Sequence, residues 1–261
     1  MKIISWNVNG LRARMDAING IVEAFQPDIM CFQKVRSQGS FFLTIPNYMG
    51  WGGIVGDTSG LLFGGVSSFT RKDVEIDFEM QNIPIPEWLL STGCINVLNF
   101  KQFILINVYV PYTDVTNDDF IKIRQRWDYE FHECIISLSK RKPIIICGDM
   151  NIVSADKDAW DGFTEKKQGC FLEWERRNFK ALLRDANLID TYRELHPNEP
   201  GFTYYFNNKP EYRLKNQGFR IDYFLASNSL MPYIIKSEIL SNVIDTTNSP
   251  ILLEIELPKR F

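Results

Sequence analysis

The sequence predicts an α/β protein in which two packed β-sheets are covered by helices, and three observations lead there. Short apolar runs rich in Ile, Val, Phe and Tyr recur from one end of the chain to the other. Several are almost continuously hydrophobic, the pattern of strands buried on both faces. Helix-period segments lie between these runs rather than at one end, so helices must cover sheets drawn from both halves of the chain.

In chain order, "KIISWNV" (2–8), "DIMCFQ" (28–33), "GGVSSF" (64–69) and "CINVLNF" (94–100) read as strands. "FILINVYV" (103–110), "PIIICGD" (143–149), "FRIDYFLA" (219–226) and "SPILLEIEL" (249–257) read the same way. Helices are predicted over Ala13 to Gln26, Asp118 to Lys140 and Phe171 to Ala186. Asn117 is a candidate cap for the second, and Asp118 and Asp119 suit its electropositive first turn. "HPNEPG" (196–201) is a turn cluster. The glycine-rich "WGGIVGDTSGLLFGG" (51–65) reads as a surface loop or hairpin, without the Gly-Lys-Ser/Thr ending of a phosphate loop. With no repeat, low-complexity stretch or linker, residues 1–261 are read as one domain.

The 261 residues suffice for a single two-sheet core, and 45% hydrophobic with 23% charged residues is ordinary for a soluble protein. A net charge of -3 neither suggests nor excludes nucleic acid, which needs a local basic face rather than a basic total. Cys31, Cys94, Cys134, Cys147 and Cys170 contain no CxxC pair, so they read as small buried hydrophobes in a reducing compartment and not as a zinc site. The first apolar run is too short for a secretory signal, and no stretch is long enough to span a membrane. The expected location is intracellular.

Polar residues stand at strand ends, where open α/β proteins place their chemistry: Asn7 and Asn9, Lys34, Asp149 and Asn151, and Asp222. An Asp within an apolar strand must be paired, hydrogen-bonded or metal-bound. Two carboxylates and three carboxamides converging at one edge would suit a hard metal ion and a phosphate. Lys34, at the end of "PDIMCFQK", could be a base, a phosphate contact or a replacement.

"KIISWNVNGLRA", "PDIMCFQ", "NVYVP", "QRWDYEF", "IIICGDMN", "DTYRELHP" and "YRLKNQGFRIDYF" follow one another in order over essentially the whole chain. Together they closely resemble the exonuclease III-type AP endonucleases of the endonuclease/exonuclease/phosphatase superfamily. The resemblance implies a four-layered α/β sandwich of two packed mixed sheets flanked by helices. It also implies Mg-dependent hydrolysis of DNA 5′ to an abasic site, with 3′-exonuclease trimming. On this resemblance Tyr109 and Asn151 would orient the phosphate, Asp149 would position or activate the water, and Asp222 would support a histidine. Asn7 and Asp222 would be the metal contacts if a metal site persists.

Two motifs depart from that pattern. Lys34 stands where the family carries its principal metal-binding Glu, and an ammonium has no lone pair to offer Mg²⁺. Thr246, Thr247 and Asn248 in "DTTNSP" stand where the family has Ser, Asp and His. The chain's two histidines, His132 and His196, read as structural. The Lys34 ammonium is expected within salt-bridge distance of Asp149 or Asp222, in place of a metal's charge.

For DNA contact, Tyr205, Arg213, Lys215 and Arg220 match the family's sugar pocket and basic stretch, whereas "YTDVTNDD" (112–119) carries acids and no Lys or Arg. Three readings stay open. The first is a catalytically inactive or impaired relative that binds double-stranded DNA, abasic or nicked, without a cofactor. The second is an active Mg-dependent abasic-site endonuclease with a rearranged site, and the third is a protein-interaction module with an unknown protein partner and no nucleic-acid role.

Overall fold

The computed structural model describes residues 1–36, 44–52, 64–77, 84–161, 163, 167–206 and 210–258. Its strands are β1 (Lys2–Asn7), β2 (Ile29–Gln33), β3 (Tyr48–Gly52), β4 (Val66–Arg71), β5 (Ile95–Asn99), β6 (Ile104–Tyr109) and β7 (Ile144–Asp149). They continue with β8 (Leu188–Asp190), β9 (Tyr204–Tyr205), β10 (Gly218–Phe219), β11 (Asp222–Ser227), β12 (Ile234–Ile239) and β13 (Ile251–Ile255). The helices are α1 (Met15–Phe25), α2 (Glu87–Ser91), α3 (Asp118–Ser139), α4 (Glu173–Asp185), α5 (Thr191–Leu195) and α6 (Pro210–Leu214).

One sheet runs β12-β13-β1-β2-β4-β3 and the other β5-β6-β7-β11-β8, with β9 and β10 as a separate ribbon. Each is mixed: β1 and β2 are parallel, as are β6 and β7, while the remaining pairs are antiparallel.

Side-chain alternation builds the layers. Ile4, Trp6, Met30 and Phe32 pack against Ile18 and Ile21 of α1. Their neighbours Ile3, Ile29 and Cys31 turn the other way and meet Leu105, Ile145, Cys147 and Phe224 between the sheets. On the far side of the second sheet, Ile106, Ile146 and Leu225 bury Trp127, Phe131 and Phe179 of α3 and α4. The result is helix, sheet, sheet, helix, as expected, and it explains why the inner strands read as unbroken apolar runs.

Each predicted strand is present within a residue or two. Helix α3 begins where expected, with the Asn117 side chain accepting from the Asp119 amide. Helix α1 starts at Met15 rather than Ala13 because Arg12–Arg14 form a 3-10 turn. Strands β3, β8 and β12 went unpredicted: β8 is only 3 residues long, and β3 and β12 are edges with exposed polar or glycine positions. Of the glycine-rich segment, Trp51 and Gly52 end β3, and 53–63 lie outside the described residues. Among the described residues no helix is long and apolar enough to cross a membrane, and all five cysteines are buried and free.

Candidate functional site

The strand registers bring the polar ends together. In the first sheet Asn7, the last residue of β1, sits beside Gln33 of β2. In the second, Tyr109 pairs with Asp149 across β6 and β7, and Asp149 pairs with Asp222 across β7 and β11. Asn7 Nδ2 then donates to Asp149 Oδ2 at 2.8 Å, joining the two sheets. Just beneath, Gln33 Nε2 donates to Asn107 Oδ1 at 2.8 Å and to Ser5 Oγ at 2.9 Å. Asn107 escaped the sequence reading, although a carboxamide inside "FILINVYV" signals a buried polar partner.

Lys34 follows β2 with a left-handed φ of 50°, which turns its side chain into the site. Its ammonium lies 4.8 Å from the centroid of the Tyr109 ring. Contrary to expectation, among the described residues it makes no ion pair with Asp149 or Asp222. The reason is prior occupancy: Asp149 accepts from Asn7 and from the Asn151 amide at 3.0 Å, and Asp222 accepts from Asn248. Burial by itself would push the Lys34 ammonium down, but the Tyr109 oxygen and the Asp149 carboxylate outweigh it and hold it above its ordinary value. Burial also drives Asp149 up, against the opposing pull of Lys34, Asn7 and Asn151.

Asn151 adopts φ 44° and donates its Nδ2 to the Val110 carbonyl at 2.7 Å, which fixes it beside Tyr109 and Asp149. On the other flank, Asn248 Nδ2 donates to Asp222 Oδ2 at 2.9 Å. Thr246 Oγ1 holds the 246–248 turn by donating to the Asn7 carbonyl at 3.2 Å and accepting from the Trp6 indole at 3.2 Å. Thr247 Oγ1 donates to Asn248 Oδ1 at 3.1 Å. Asp222 Oδ1 is buried without a partner among the described residues, and burial and the neighbouring Asp149 push its carboxyl well up.

These residues do not fit a hard divalent cation. Asn7 turns its Nδ2 to Asp149 and its Oδ1 to the Asn9 amide at 3.2 Å, so neither atom faces the cavity as a free donor. Among the described residues no three His, Cys, Asp or Glu side chains gather, and the Lys34 ammonium occupies the same space. A hard cation requires a shell of oxygen ligands, mostly anionic, and a fixed positive charge beside it is repulsive.

The site opens into a cavity of about 370 Å³ with two unlike walls. Lys34, Arg36, Tyr109, Asp149, Asn151 and Asn248 form the polar wall, and Tyr112, Phe171, Tyr204, Phe206, Phe219 and Ile221 the apolar one. Arg36, Tyr112 and Tyr204 were not among the sequence candidates. Tyr204 was missed by one residue: alternation along β9 turns Tyr205 away, where it is buried with its hydroxyl donating to Asn216.

Three of the four expected DNA contacts do structural work instead. Arg220 is 1% exposed and ion-paired to Asp158 at 2.9 Å and to Asp190 at 2.7 Å, so it cannot meet a phosphate. Arg213 stacks over Tyr205 and donates to Ser249 Oγ and the Thr246 carbonyl, each at 2.8 Å, bracing the 246–249 turn. Lys215 is exposed. The acids of 112–119 serve local structure: Asp114 accepts from Thr116, and Asp118 and Asp119 occupy the first turn of α3. His196 accepts or donates at the Ser237 carbonyl and stacks on Tyr192, away from the cavity.

Residues 4–242 match the profile of the Endonuclease/Exonuclease/phosphatase family. Among curated proteins, DNA repair nuclease APEX1 of Danio rerio is 30% identical over 97% of this chain and 81% of its own length. An exodeoxyribonuclease of Bacillus subtilis is 29% identical over 98% of this chain and 100% of its own. Among solved structures, the AP endonuclease LMAP from Leishmania major superposes with a TM-score of 0.84 at 20% identity, over 98% of this chain and 88% of that one. The 3′ phosphatase NExo from Neisseria, bound to a product DNA hairpin, gives 0.82 at 22% identity, over 98% and 100%. Both share this fold.

Proposed function

Since the chain belongs to the endonuclease/exonuclease/phosphatase family, we propose that it is an exonuclease III/AP endonuclease-like protein that binds DNA and hydrolyses it poorly or not at all. The observation that carries this reading is the Lys34 ammonium against Tyr109, in a cavity whose other expected catalytic position is filled by Asn248 on Asp222.

Hydrolysis of a phosphodiester needs charge neutralisation on the phosphate and proton transfer to or from water. Lys34 offers a fixed charge and no site for water activation. Asn248 can fix Asp222 but cannot carry a proton, because a carboxamide does not titrate near neutrality. Asp149 is the one group left that could orient water, and its oxygens are engaged by Asn7 and Asn151. A missing acid/base group costs about 10²–10⁴ in rate, and a missing metal several kcal/mol more, with the two effects not additive. The family's Mg²⁺ has no matching donor set here, so no step is assigned to it. DNA as the partner rests on the kinship with DNA repair nucleases and on the DNA-bound Neisseria relative.

The test is cleavage and binding of one abasic duplex, with and without Mg²⁺, beside the triple variant Lys34→Glu, Thr247→Asp, Asn248→His. The expected outcome is binding without cleavage by the parent, and Mg-dependent nicking gained in the variant. Efficient Mg-dependent nicking by the parent, abolished in Asp149→Ala, would establish the active reading and sink this one. If no duplex binds in low salt, the interaction-module reading replaces it.

A further inference from the structure

The cavity's two walls differ in chemistry, and the difference specifies a ligand. Lys34 and Arg36 are its cations and Asp149 its one carboxylate among the described residues, so the polar wall is net positive by one. That carboxylate is turned toward the donors on Asn7 and Asn151, which leaves the ammonium as the dominant charge facing the space. A protein ammonium is a point charge suited to phosphate. Across from it, Tyr112 is exposed and Tyr204 and Phe206 are half-buried, presenting ring surface that no protein group covers fully. At about 370 Å³ the space lies within the range of small-molecule sites.

We propose that this cavity seats one phosphorylated nucleoside unit without any divalent ion, its phosphate on the Lys34 ammonium and its base against Tyr204 and Phe206. The proposal deepens the reading of the site as a non-hydrolysing DNA binder by naming the unit it takes. A bare abasic sugar phosphate would use the polar wall alone. The aromatic wall adds a surface on which any base can stack, and removing one such ring costs about fivefold to a hundredfold in affinity. Family-like binding through a metal would vanish on chelation, whereas a lysine seat is indifferent to it.

The experiment is calorimetric titration of the full chain in excess EDTA and low salt with dAMP, deoxyribose 5-phosphate and deoxyadenosine. The expected result is that dAMP binds at least fivefold more tightly than deoxyribose phosphate and at least tenfold more tightly than deoxyadenosine. Lys34→Met should weaken dAMP at least tenfold, and Tyr204→Ala should erase most of the advantage of dAMP over the sugar phosphate. Binding that appears only with Mg²⁺, or equal affinities for dAMP and deoxyadenosine, overturns the phosphate seat. Equal affinities for dAMP and deoxyribose phosphate overturn the base seat. The comparison among ligands uses the unsubstituted protein, so it stands even where Lys34→Met fails to fold. The abasic-duplex assay fails separately: a chain that nicks DNA yet binds dAMP in EDTA loses the functional reading and keeps this one.

Discussion

Asn248 illustrates how a single side chain can keep a buried site folded while removing its chemistry. Its Nδ2 donates to Asp222 Oδ2, and Asp222 has its other oxygen buried and unpaired among the described residues. Truncation to Ala would leave both oxygens of a buried carboxyl without a side-chain donor. Asn248→Ala is therefore expected to destabilise the protein by about 1–3 kcal/mol, read as a lower urea midpoint at unchanged slope. Asn7, Lys34, Asp149, Asn151 and Asp222 were legible in the sequence because a polar residue ending an apolar strand has few explanations. Arg220 and Tyr205 were misread because a sequence displays charge and aromaticity but not partners. The carboxylates that claim Arg220 come from residues 158 and 190, far from it in the chain.

At the scale of elements, α3 shows how local signals survive into the fold. Asn117 accepts from the Asp119 amide, and the helix buries Trp127, Phe131, Ile135 and Leu138 on the second sheet. Asn117→Ala should cost about 1 kcal/mol of stability without changing duplex binding, which thermal melts and a binding titration check together. The inner strands were legible for a related reason. Burial on both faces writes an unbroken apolar run, whereas short or edge strands such as β8 and β12 carry too few buried positions to announce themselves. The ends of helices were less legible, since Arg12–Arg14 form a 3-10 turn where continued helix was expected.

Across the whole molecule, a buried charge cluster ties the loop after β7 to β8, α5 and the start of β11. Asp158 receives Arg220 at 2.9 Å and Arg193 at 2.6 Å, and Arg220 also reaches Asp190. Burial would raise the Asp158 carboxyl, but Arg220, Ser154 and Arg193 outweigh it and hold it below its ordinary 3.8. A folded-state value below the unfolded one means a stabilisation complete at neutral pH and lost as pH falls through the carboxylate range. Stability should therefore decline more steeply between about pH 5 and pH 3 in the parent than in Asp158→Asn, followed by urea midpoints. Asp222, pushed in the opposite direction, opposes this trend in both proteins and drops out of the comparison.

The hydrogen bond from Asn7 to Asp149 has a practical consequence for genetics. Because it fastens one sheet to the other, Asp149 is a joint of the scaffold as well as a member of the site. A lost phenotype in Asp149→Ala would thus report two injuries at once. Genetic evidence drawn from that allele cannot separate a missing reaction from a loosened body. The cleaner allele is at Lys34, whose ammonium rests on a tyrosine ring at the cavity wall rather than on the opposing sheet's carboxylates.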